Sequence, residues 1–87
     1  MLNKELSELL KKARSSLNEL LAVEPDSHHQ LLLELYHDVE LGLKDASEYP
    51  TSRHLFWDTP KSELEEKCLN DAVIVFQFVR SLATNAN

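Results

Sequence analysis

Three observations predict an all-α fold, an antiparallel three-helix bundle. Three stretches carry apolar residues at alternating steps of three and four. The 87-residue chain contains only one glycine, and its three prolines fall between those stretches rather than inside them. No pair of segments alternates apolar and polar residues in the way a sheet requires. With 43% apolar residues, the chain forms one domain spanning residues 1–87 with a small core.

The first helix is expected over residues 4–23. Asn3 can cap it, and Leu6, Leu10, Ala13, Leu17 and Leu20 form a continuous seam. Glu5 and Glu8 sit where the helix dipole favours anions, and Pro25 stops it, because the residue before a proline is driven out of the helical region.

The second helix is expected over residues 28–47. Ser27 and Gln30 have the spacing of a capping box, with Asp26 as the competing cap. Leu32, Leu35, Tyr36, Val39, Leu43 and Ala46 share one face. Gly42 inside this stretch would cost about 1 kcal/mol relative to alanine, unless a close helix crossing uses the missing side chain.

Thr59 and Pro60 read as cap and first position of a third helix over residues 60–83, with Glu63, Glu65 and Glu66 in its first turns. Leu64, Cys68, Ala72, Val75, Val79 and Leu82 make the inward stripe. The run from Ala72 to Val79 is rich in β-branched residues, but a lone strand would have no partner, so helix is expected. The connector, residues 48–58, is long for a bundle, where two to eight residues are usual. It either packs over one end or feeds a crossover.

Charge and composition bound the function. The net charge is −6, and residues 26–50 hold most of it, with Lys44 against Asp26, Glu34, Asp38, Glu40, Asp45 and Glu48. Such a field repels nucleic acid and anionic lipid, so neither is an expected partner. No stretch approaches the roughly 20 apolar residues of a membrane span. A single cysteine and no leader-like apolar run fit a reducing cytoplasm.

No motif identifies a reaction, and no cofactor is expected. Glu34 and His37 have the Glu-x-x-His spacing of di-iron bundles, but the motif occurs once and, with Asp38, faces away from the apolar stripe. Carboxylates of the kind that hold Mg²⁺ in helical pyrophosphohydrolases need a Glu-Glu-x-x-Asp row. Here Glu65 and Glu66 are followed at the third position by Leu69. Cys68 lies on the apolar stripe without a histidine at helical spacing, as a small buried hydrophobe would.

Binding is therefore the expected function, with the chain as a regulator or accessory subunit. Leu55, Phe56 and Trp57 cluster ahead of the third helix, where they either plug the open end of the bundle or form a docking patch with Arg53 and Tyr49. Val73 and Ile74 point away from the inward stripe of helix 3, so that helix has apolar surface to spare. A homodimer through helix 3, or a protein partner, would cover it. The alternative is an acidic immunity or antitoxin-like inhibitor that holds a basic protein on a ridge of Glu34, Asp38 and Asp45 along helix 2.

Overall fold

The computed structural model describes residues 3–42, 45–49 and 59–85. It is all-helical: α1 spans Lys4–Val23, α2 Ser27–Leu41 and α3 Glu63–Asn85, with a 3-10 turn at Ala46–Glu48 between α2 and α3.

α1 begins and ends as its sequence predicts. The Asn3 side-chain oxygen accepts from the Glu5 and Leu6 amides at 2.8 and 3.4 Å. At the other end the Glu24 amide donates to the Leu20 carbonyl, and the next residue is Pro25.

α2 departs from expectation at both ends. The cap is Asp26, whose carboxylate accepts from the His28 amide at 2.7 Å, so Ser27 is already the first helical residue and the Ser27–Gln30 capping box is not used. The helix stops at Leu41 rather than at residue 47, because Gly42 adopts φ 65° and ψ 33°. That left-handed conformation is accessible to glycine without a steric penalty and terminates helices. Gly42 is therefore a stop and not a crossing point, since nothing among the described residues lies within 4 Å of where its Cβ would be. Asp45 then opens the 3-10 turn by accepting from both the Ser47 amide and hydroxyl, each at 2.8 Å.

α3 starts three residues later than Pro60. Its cap is Ser62, whose hydroxyl oxygen accepts from the Glu65 amide at 3.2 Å. The β-branched run from Ala72 to Val79 is helical throughout.

Residue pairs tie the helices together. The short Glu24–Asp26 connection and the Arg14–Glu40 ion pair join α2 to α1. Ser16 meets Asp71, Glu19 lies 3.9 Å from Lys67, and Asp26 feels the charge of Lys61. Position along α1 and beyond thus rises as position along α3 falls.

The core lies between the three helices. Leu6, Leu10, Ala13, Leu17 and Leu20 of α1 meet Leu32, Tyr36 and Val39 of α2 and Cys68, Ala72, Val75 and Phe76 of α3. Aromatic rings fill the space between α2, α3 and the 3-10 turn: Phe76 stacks on Tyr36 at 5.7 Å and on Tyr49 at 5.1 Å. Each such pair adds about 0.5–1.5 kcal/mol beyond the area it buries. Among the described residues, no helix is long and apolar enough to cross a membrane.

Candidate functional site

The apolar surplus of α3 is narrower than its sequence suggests. Phe76 and Leu69, neither of them on the predicted inward stripe, are both wholly buried. The rings of Tyr36 and Tyr49 reach round to cover that side. What remains on the outside is Ile74, 46% exposed, with half-buried Val73 and Phe78 on its shoulders. Ile74 and Phe78 are one helical turn apart on the same edge of α3.

Tyr49 does not belong to this outer surface. It is 2% exposed and flat against Phe76, with an interplanar angle of 7°, so its ring is a core contact rather than a docking group. Burial pushes its hydroxyl above the ordinary value, with smaller contributions from the charges of Asp38 and Glu48. Arg53, Phe56 and Trp57, the remaining members of the aromatic patch, lie outside the described residues.

The acidic ridge of α2 is not a row of three. Glu34 is exposed and Asp38 half-buried on the helix, but Asp45 lies beyond its end and its carboxylate caps the 3-10 turn. The two hydrogen bonds from Ser47 hold the Asp45 carboxyl below the ordinary carboxylate value. Glu40 is engaged with Arg14 at 2.5 Å.

Among the described residues no three His, Cys, Asp or Glu side chains converge on a point that could hold an ion. His29 is buried at the start of α2, with Nδ1 2.9 Å from the Glu24 carbonyl oxygen. Cys68 is fully buried, and desolvation first, then the charges of Asp71 and Glu65, pushes its thiol up to about 12. A thiol held in that state is a poor nucleophile at neutral pH.

A buried polar node was missed by the sequence reading. The Ser16 hydroxyl donates to the Asp71 carboxylate at 2.5 Å across the α1–α3 seam, where the two residues are 3% and 8% exposed. The Tyr36 hydroxyl comes in from α2, fully buried and without a hydrogen-bond partner among the described residues. Burial raises its pKa strongly, and the charges of Cys68 and Asp71 add to the shift while that of Arg14 opposes it. A signal was available: Leu64, Cys68, Asp71, Val75, Phe78 and Leu82 follow a strict alternation of four and three, which puts Asp71 on an inward position.

Two open grooves beside α1 are lined by polar and charged residues. One of about 700 Å³ runs past Ser7, Lys11, Arg14 and Glu40, and another of about 420 Å³ past Lys12, Ser16 and Lys67. Charges of both signs line the first, with no apolar floor to seat a ligand. Comparison with protein-family models, curated proteins and solved structures gives no match to this chain.

Proposed function

We propose that this protein is a small non-catalytic binding module, a regulator or accessory subunit, that docks through the outer face of α3 in the cytoplasm and pairs with a second copy of itself. The observation that carries the reading is Ile74, a large apolar side chain 46% exposed at the middle of the longest helix, with Val73 and Phe78 only half-covered beside it. A small domain gains most from covering such a position, because its own core leaves little stability in reserve. The inert thiol supports a binding rather than a chemical role, and a lone cysteine suits a reducing compartment.

Sedimentation velocity of the wild type and Ile74→Glu tests this directly. The wild type is expected at twice 10.0 kDa at micromolar concentration, and the variant at 10.0 kDa with unchanged helical circular dichroism. The contact is apolar, so the wild-type mass should persist in 1 M salt, where the Debye length is about 3 Å. A wild type that sediments as a monomer overturns the self-association. Capture of the same proteins from lysate by wild type and Ile74→Glu overturns the docking face.

A further inference from the structure

We infer that the buried Ser16–Asp71 hydrogen bond determines the direction in which α3 lies on α1, selecting the pairing in which these two residues meet over its reverse. The apolar contacts are poorly suited to make that choice. The seam of α1, Leu6, Leu10, Ala13, Leu17 and Leu20, has steps of four, three, four and three, and reads almost the same from either end. The facing stripe of α3 has the small residues Cys68 and Ala72 near its middle, with large residues on both sides. Leucine-rich seams of this kind repack in either direction at modest cost, because total volume and pattern are kept.

The polar pair is not symmetric in this way. Ser16 has one hydroxyl hydrogen and Asp71 only acceptors, so each needs the other at one register. The hydroxyl oxygen also lies 3.3 Å from the Lys12 carbonyl of its own helix, but the carboxylate at 2.5 Å is the closer acceptor. With α3 reversed, side chains that now splay to one side of the seam splay to the other, so Asp71 turns away from Ser16. A buried carboxylate would then have lost its donor, the most heavily penalised outcome for a polar group in a core. A single polar position that fixes register and partner geometry is an established use of buried polarity. The exposed Glu19–Lys67 contact is too weak to serve instead: both side chains are more than half exposed, at 55% and 54%.

That weak contact is a convenient reporter. Lys67 and Glu19 are 3.9 Å apart, close enough for a zero-length carbodiimide to join them as an amide, which peptide mass spectrometry identifies. Reversal about the level of Ser16 would carry Lys67 toward the level of Lys12, roughly 11 Å along α1 by helix rise, away from Glu19 and toward Glu8. Wild type and Asp71→Asn, which keeps an oxygen for Ser16, are expected to give Lys67–Glu19 as the dominant coupling to α1. The double variant Ser16→Ala with Asp71→Leu removes both polar groups and leaves no orphan. It is expected to stay helical but to give Lys67–Glu8 and Lys67–Glu19 in comparable yield. A double variant that retains the wild-type product ratio overturns the inference. So does one that loses its helical circular dichroism, since the pair would then be needed for folding itself and not for direction.

Discussion

Replacing Tyr36 with phenylalanine should stabilise the protein, which is the opposite of the usual effect of altering a core residue. The ring is wholly buried and stacked on Phe76 at 5.7 Å, and Phe keeps both its volume and that stack. The lost atom is a hydroxyl that has left water without gaining a hydrogen-bond partner among the described residues. Such an unsatisfied group costs about 1–3 kcal/mol. The charge of Asp71 is close enough to help raise the Tyr36 pKa, yet the carboxylate's hydrogen bond comes from Ser16. The expected gain for Tyr36→Phe is therefore about 1–2 kcal/mol, taking the lower part of that range because the core can relax slightly around the hydroxyl. In a domain of this size each kcal/mol moves Tm by about 4–8 °C. Tyr36→Ala is the contrasting perturbation: it deletes the ring and its stack, and should cost about 3–5 kcal/mol. Urea unfolding followed at 222 nm gives both values, provided the slope m is common to all three proteins. A Tyr36→Phe variant destabilised by about 1 kcal/mol or more would show that the hydroxyl makes a hydrogen bond after all, and would refute the reasoning.

Four other outcomes follow from the geometry. Cys68 should resist alkylation in native buffer and react at a rate set by global unfolding, because its thiol is fully buried. Stability should fall as pH rises above about 9: the folded thiol keeps its proton up to about 12, while the unfolded chain releases it from 9.0, so the unfolded state binds fewer protons across that window. Denaturant midpoints from pH 8 to 11 would measure the slope, and a flat profile would contradict the burial. Asp26→Ala should lower the urea midpoint while Ser27→Ala leaves it unchanged, since Asp26 alone caps α2; its carboxyl, held low first by the His28 amide, contributes stability above its ordinary value of 3.8 that is lost as pH falls through the depressed folded value. Gly42→Ala should cost about 1 kcal/mol by urea unfolding although space for the methyl is open, because an L residue is strained at φ 65°.

The helices were legible because each rests on information held within a few residues. Asn3 followed by a leucine seam, and Pro25 after it, define α1 without reference to the rest of the chain. The errors at α2 and α3 have one form: two local signals competed, and geometry chose between them. Asp26 prevailed over Ser27 because the chain is already helical at Ser27, and Ser62 prevailed over Thr59 with Pro60 for the cap of α3. Gly42 was read by its propensity inside a helix, as a tolerated weakness, when its capacity for positive φ made it the stop. A shift of one or three residues in a cap changes little. The loss of Asp45 from the end of α2 dismantles a proposed binding ridge, because three carboxylates form a row only while one helix carries all of them.

Direction and site were hidden for a different reason. Nothing within a helix says which way its neighbour runs, and a stripe with steps of three and four is nearly the same forwards and backwards. The information lies in pairs distant in sequence, and Ser16 and Asp71 are 55 residues apart. Asp71 belongs to no Glu-Glu-x-x-Asp row, yet its place in the strict four-and-three alternation sets it apart from the other acids of α3. An acid on an inward position is a local inconsistency, and such inconsistencies are where a core carries information beyond burial. An apolar residue at position 71 would have fitted the stripe better and would have been compatible with either direction of α3. The carboxylate is compatible with one, because only one direction brings it the hydroxyl of Ser16.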